Sequence, residues 1–258
     1  MRLFWRLLAL QLKTQMQYRA SFFLTITGQF ITAFASFFGI SFLFSRFNVV
    51  EGFTYEQVLL CFSVVMMAFS LGEMVGGGLA VFPRLLGNGE FDRALVRPKG
   101  VVYQVIVPKM DMTRIGLLVQ AILVLCYAVA RVDIVWSADK VILLFLMILS
   151  GSVIFFGLFL AYAACAFFTM EGLQFFNVFT YGGRQFGRYP FSIYGKRILN
   201  FLTYVIPLAL FQYYPLLYLL DQDKRALCFL APFLGMLFLV PCFAFFRFGL
   251  RRYKSIGS

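Results

Sequence analysis

Few residues in this chain have the types or spacing for chemistry. It contains no histidine, which excludes a Ser-His-Asp or Cys-His arrangement and any His-ligated zinc or haem. Its five cysteines, Cys61, Cys126, Cys165, Cys228 and Cys242, lie in apolar runs with no CxxC pair. They read as small buried hydrophobes, and their odd number argues against a disulfide framework. Glu73 is different, because it interrupts a long apolar stretch. A charge at membrane depth costs ~2.5–3.5 kcal/mol on insertion scales, so Glu73 must face protein or water. Gly76-Gly77-Gly78 follows it, a run that weakens a helix and permits close backbone approach. Two readings stay open for Glu73: a polar site or hinge near the inner mouth of a pathway, or a structural carboxylate paired with a base such as Arg114. Glu171 allows a substrate contact, but an acid at a helix N-terminus is the simpler reading.

Two further segments carry polar groups in a pattern. Pro83 and Pro98 bracket residues 83–98. Arg84 and Leu85 open this segment, Gly87 and Gly89 permit a tight turn, and Glu90–Val96 is helix-compatible. Phe91 and Leu95, four apart, share one helical face and could plug a groove on a partner, with Glu90, Asp92, Arg93 and Arg97 setting register by salt bridges. The plainer reading is a basic cytoplasmic loop. Farther along, Gln174, Asn177, Tyr181, Arg184 and Arg188 recur every three or four residues, with Leu173, Phe176 and Phe179 on another side. That is an amphipathic helix.

The elements that position these residues are membrane spans. Of the 258 residues, 62% are apolar and only 13% charged. A soluble domain of this length needs roughly a quarter of its residues charged, so lipid is the main solvent here. A span needs about 20 apolar residues. Charge-free stretches occur at 20–45, 57–82 (broken by Glu73), 115–130, 141–170, 198–220 and 226–246. Residues 1–19 interleave Arg2, Arg6, Lys13 and Arg19 with leucines and Phe4, as an interfacial helix does. A signal peptide fits poorly, since the apolar run after Arg6 is short and no small-x-small site follows. No soluble domain, internal repeat or low-complexity tract is visible. The 35 phenylalanines are explained mostly by lipid-facing packing, and Trp5 and Trp136 suit the interfaces.

The net charge of +12 reads as positive-inside topology rather than nucleic-acid binding. Four bases precede the first span, six lie between Arg84 and Arg114, and four close the chain from Arg247; these regions belong in the cytoplasm. Loops 46–56, 131–140 and 221–225 hold five bases and six acids and face outward. Residues 171–197 allow two arrangements. They could lie on the cytoplasmic surface with 198–220 as span five. Alternatively they cross with the polar face toward a pore or partner, leaving 198–220, interrupted by Pro207 and Pro215, as an outer re-entrant hairpin.

Four features together resemble the membrane subunits of type-2 ABC exporters, the ABC-2 permease superfamily. They are the Met16-Gln17-Tyr18-Arg19 junction, the segment from Phe82 to Pro98, the sequence Arg188-Tyr189-Pro190 followed by Pro207 and Pro215, and the six-span layout with both termini inside. The resemblance implies an all-α polytopic membrane protein with six transmembrane helices, an N-terminal interfacial helix and a re-entrant outer helical hairpin between spans five and six. It places span five at 171–187 and the outer region at 188–220, against the positive-inside rule. It implies a dimer of permeases, identical or homologous, enclosing the translocation path, with two copies of a separate ABC ATPase subunit docked on 83–98. Pathway candidates are then Glu73, Glu171, Gln174, Asn177 and Tyr181. ATP and Mg would bind the partner ATPase, and this chain, which has no G-x-x-x-x-G-K-[ST] loop, would carry no cofactor. The expected location is a cell membrane, bacterial by resemblance. An ion-coupled carrier using Glu73 and Glu171 is the alternative; an enzyme acting on lipid is disfavoured by the missing histidine and the scarcity of paired carboxylates.

Overall fold

The computed structural model describes residues 9–10, 12–47, 49–96, 100–106, 109–169 and 173–253. Helix α1 (Arg19–Arg46) follows a helical stretch whose backbone leaves helical geometry at Tyr18 (φ −104°, ψ 73°). A minimal hairpin, β1 (Val49–Val50) and β2 (Phe53–Thr54), joins it to α2 (Tyr55–Ala80). Glu51 and Gly52 both have positive φ, as the tight turn of a two-residue hairpin requires. Thr54 and Gln57 then form a reciprocal capping box that starts α2.

Helix α2 is the axis of the molecule. It is buried along most of its length and packs chiefly against α6 (Ile115–Arg131) and α7 (Ala138–Cys165). The expected close approach at the glycine run is present. A Cβ on Gly72 would come within 2.9 Å of Phe155, one on Gly76 within 2.9 Å of Phe159, and one on Gly78 within 2.6 Å of the Val105 carbonyl. The helix remains regular through all three. Short helices α3 (Phe82–Gly87), α4 (Glu90–Leu95) and α5 (Val101–Ile106) form the connection to α6. α1 leans on α6, crossing it where Gly116 meets the Ile26 carbonyl. It has only four buried residues, Phe22, Ala33, Ile40 and Phe44.

The second half departs from the expected layout. Residues 173–187, expected within a fifth span, are not one continuous helix. Leu173–Val178 is a 3-10 turn, and α8 (Tyr181–Phe186) is only six residues long. Small residues here serve approach rather than helix length: a Cβ on Gly183 would lie 3.1 Å from Leu208, and one on Gly187 2.9 Å from Val65. A 3-10 turn at Phe191–Tyr194 leads to α9 (Lys196–Tyr204) and α10 (Leu208–Leu219), which meet at 113° around Pro207. The last span is split into α11 (Ala226–Met236) and α12 (Leu239–Arg252), with Pro232 inside the first and Pro241 inside the second. Five helical stretches are long and apolar enough to cross a membrane, and the bent α9–α10 pair is a sixth candidate.

Contacts along α2 and α7 order the irregular region by depth. Tyr181 packs on Phe69, Gly187 on Val65, and the Gly187 carbonyl accepts from the Cys61 thiol (3.7 Å). From 181 to 187 the chain therefore runs antiparallel to α2, toward the end bearing the β-hairpin. It then doubles back: Phe201 meets Phe179, and Leu208 meets Gly183. α10 returns to the hairpin end, where Asp221 pairs with Lys140 at the start of α7 (2.7 Å). One buried side chain holds the reversal. Gln212 donates to the carbonyls of Gly187 (3.1 Å) and Tyr189 (2.7 Å) and accepts from the Phe191 N–H (3.3 Å).

Candidate functional site

Glu73 lies on α2 two turns before its end, 1% exposed. Its Oε1 is 3.0 Å from Arg114 Nη2, so the structural pairing expected from sequence is formed. Arg114 is at the foot of α6, and its Nε lies 3.1 Å from Asp111. Asp111 is fixed in turn, its N–H donating to the Met74 carbonyl (3.1 Å) and its carboxylate accepting from the Thr113 N–H (3.0 Å) and hydroxyl (2.6 Å). Gln29 of α1 donates to that hydroxyl (3.2 Å). A polar chain thus runs from α1 through the α6 entry to α2. The Tyr181 hydroxyl and the Arg184 guanidinium also face Glu73. Burying the Glu73 carboxylate is tolerable because it lies against the opposite charge of Arg114.

This chain opens into a cleft of about 380 Å³ between α1 and the α8 region. One wall is a stripe of α1, Thr25, Gly28, Gln29, Thr32 and Ser36, spaced to fall on one helical face. The other carries Arg184, Gln185 and Arg188, with Arg114 beneath. Arg184 rests over the Phe69 ring, 4.7 Å from its centroid. Among the described residues neither Arg184 nor Arg188 has a carboxylate within salt-bridge reach, and the buried Nε of each has no hydrogen-bond partner.

Of the pathway residues named from sequence, Glu73 and Tyr181 meet here. Gln174 and Asn177 bond each other (2.7 Å) and do not line the cleft, and Glu171 lies outside the described residues. The α1 stripe was not expected, whereas Arg184 and Arg188 belong to the polar stripe that one of the two arrangements turned toward a pore or partner. Polar residues recurring at 25, 29, 32 and 36 in an apolar span were the available signal.

The 83–98 segment forms the second candidate. α3 follows α2 with one intervening residue, and Gly89 (φ 68°) turns the chain into α4. The expected outward face of α4 is corrected by the structure. Phe91 is 1% exposed, seated among the rings of Phe82 (5.0 Å), Tyr253 (5.2 Å) and Phe167 (5.8 Å). It is not free to plug a partner's groove. Leu95, four residues on, is exposed, as are Arg84, Gly87, Glu90 and Arg93; Leu85 is half-buried. Aromatic burial therefore turns the face inward at Phe91 and outward at Leu95. Asp92 accepts from the Tyr253 hydroxyl (3.1 Å). Burial first, and this bond second, raise the Tyr253 phenol above its ordinary pKa. Arg97 and Pro98 lie outside the described residues.

The family model described as ABC-2 family transporter protein matches residues 30–257. The chain belongs to the ABC-2 transporter family. No curated protein and no solved structure matches it. As an ABC-2 chain it is a multi-pass membrane permease, the membrane component of an ABC transporter partnered by an ABC ATPase. In this permease the cleft between α1 and the α8 region and the ring-locked α3–α4 segment are the candidate sites.

Proposed function

We propose that this permease is the membrane half of an ATP-driven exporter. Two copies, or one copy and a homologue, enclose the path, and an ATPase docks on each at residues 84–96. The supporting observation is mechanical continuity. α3 extends α2 with a single residue between, so Phe82 lies nine residues from Glu73, about 14 Å along a helix. Phe91 also fastens α4 to Phe167 beyond α7 and to Tyr253 beyond α12. A push on the segment thus reaches the inner ends of three long helices and the Glu73–Arg114 pair. The thinly buried α1, with Phe23, Leu24, Phe38 and Phe42 exposed, is where the second permease joins. That places the polar cleft beside the subunit boundary, with both termini in the cytoplasm and 188–197 on the outer side. Glu73 is held by a permanent cation, which disfavours a proton-coupled carrier.

Co-expression of two differently tagged copies with the candidate ATPase tests the assembly. Each tag should recover the other together with the ATPase, and ATP hydrolysis should respond to the permease. Recovery of a monomer without ATPase in a mild detergent would overturn the proposal.

A further inference from the structure

The cleft has an electrostatic imbalance that the transport reading does not use. Three guanidiniums, Arg114, Arg184 and Arg188, face it or line it. The carboxylates nearby are Glu73 and Asp111, and both engage Arg114. One positive charge is left uncompensated among the described groups, and it falls to Arg184 and Arg188, which have no carboxylate within salt-bridge reach and whose buried Nε atoms, like that of Arg114, make no hydrogen bond. Buried guanidinium donors left unmade are costly, so this arrangement is best satisfied by an anion. Guanidinium forks suit phosphate and carboxylate oxygens.

The opposite wall narrows the class. The hydroxyls of Thr25 and Thr32 donate to the carbonyls of Ser21 and Gly28 (2.8 Å each). Their oxygens therefore face the cleft as acceptors and suit a ligand that also offers hydroxyl donors. The α1 stripe, Met66, Arg114 and Leu117 lie on stretches long and apolar enough to cross a membrane, and Met66 and Leu117 line the cleft beside the polar groups, so a molecule reaching the cleft from the bilayer needs an apolar body. We infer that the cleft binds the head group of an acidic amphiphile, a phosphate or carboxylate flanked by hydroxyls on an acyl or similar tail. This rests on the exporter reading for its purpose, since it names the substrate class, but not for its test. Arg184 and Arg188 hold the anion, and Arg114 stays committed to its carboxylates.

The permease–ATPase complex, purified in a neutral detergent, is titrated by native mass spectrometry with three probes. These are phosphatidylglycerol, phosphatidylcholine and glycerol 3-phosphate. Phosphatidylglycerol should bind at least about tenfold more tightly than either of the others, as loss of charge-assisted hydrogen bonds or of the tail dictates. The double variant Arg184→Gln/Arg188→Gln should weaken it by about tenfold or more. Gly28→Phe is the steric control. A Cβ there meets nothing within 4 Å, so the ring enters the cleft while every arginine stays, and phosphatidylglycerol binding should fall comparably. Equal binding of phosphatidylcholine, tail-independent binding of glycerol 3-phosphate, or undiminished phosphatidylglycerol binding by Gly28→Phe would each overturn the inference. Failure of the wild-type permease to hold its ATPase would count against the exporter reading instead.

Discussion

Phe91 and Leu95 sit one helical turn apart, one buried and the other exposed, so substitution can separate a part in the fold from the docking part proposed for this segment. Phe91→Ala deletes a ring that is 1% exposed and lies 5.0–5.8 Å from three others. Truncating a buried phenylalanine costs about 3–5 kcal/mol, transfer and cavity together. For a chain of this size each kcal/mol lowers the melting temperature by about 2–4 °C, so a drop of roughly 6–20 °C is expected for the permease alone. Leu95 is 41% exposed. Leu95→Asp should stay within about 0.5 kcal/mol of wild type in stability, a shift under about 2 °C. If Leu95 is an anchor for the ATPase, its loss should cost at least about 2 kcal/mol of association, roughly thirtyfold in affinity. The assay is a thermal melt of the purified permease beside a titration of ATPase binding. Phe91→Asp will also lose assembly, but through the fold. The reasoning fails if Phe91→Ala melts like wild type, or if Leu95→Asp binds the ATPase normally.

Other outcomes follow from the same contacts. Arg114→Gln strands the buried Glu73 carboxylate and should cost about 3–5 kcal/mol, with Glu73→Gln in the same chain restoring part of it; thermal melts of the single and double variants check this. Gln212→Leu leaves the Tyr189 carbonyl and the Phe191 N–H without their partner, at about 1–3 kcal/mol for each group, and leaves the Gly187 carbonyl only the weak Cys61 thiol as donor; Cys61 should become reactive to thiol reagents. Single cysteines at Tyr189 and Lys196, with the five native cysteines removed, should label with an impermeant reagent on intact cells; labelling only after lysis would put 188–197 inside. Arg225 hydrogen-bonds Asp223 and lowers its pKa to about 2, and Lys140 and Lys224 lower that of Asp221. Both folded values lie below the unfolded one, near 4. Their contribution is therefore complete above about pH 4 and is lost as pH falls toward 2. Protection of the amides in residues 220–225, corrected for the intrinsic pH dependence of exchange, should fall only in that range.

Five long apolar helices were legible because hydrocarbon demands long apolar runs and does not depend on what packs where. Glu73 and Arg114 were legible for a related reason. A charge at depth is so unfavourable alone that its presence implies a partner. The glycine run also read correctly, since close approach is what a missing side chain offers on a buried helix. Where several weak local terms compete, the sequence was silent. The stripe from Gln174 to Arg188 has helical spacing, yet Gly182, Gly183 and Gly187 lower the helix preference. Packing of Gly183 and Gly187 against Leu208 and Val65 then decides the backbone, and those partners are distant in the chain.

The same distinction explains why the cleft itself was missed. A threonine or serine in a membrane helix can bond the carbonyl one turn back, as Thr25, Thr32 and Ser36 do, so its presence compels no partner. An arginine has five donors and no such local outlet. Arg184 and Arg188 therefore carried information that the hydroxyls did not. Spacing alone could not convert it into a site, because it gives the face of a helix and not the element opposite. What makes the two stripes one site is the crossing of α1 over α6 at Gly116 and the climb of residues 181–187 along α2. Both are tertiary close approaches at glycine, and they bring a wall of acceptors and a wall of donors to the two sides of one cleft.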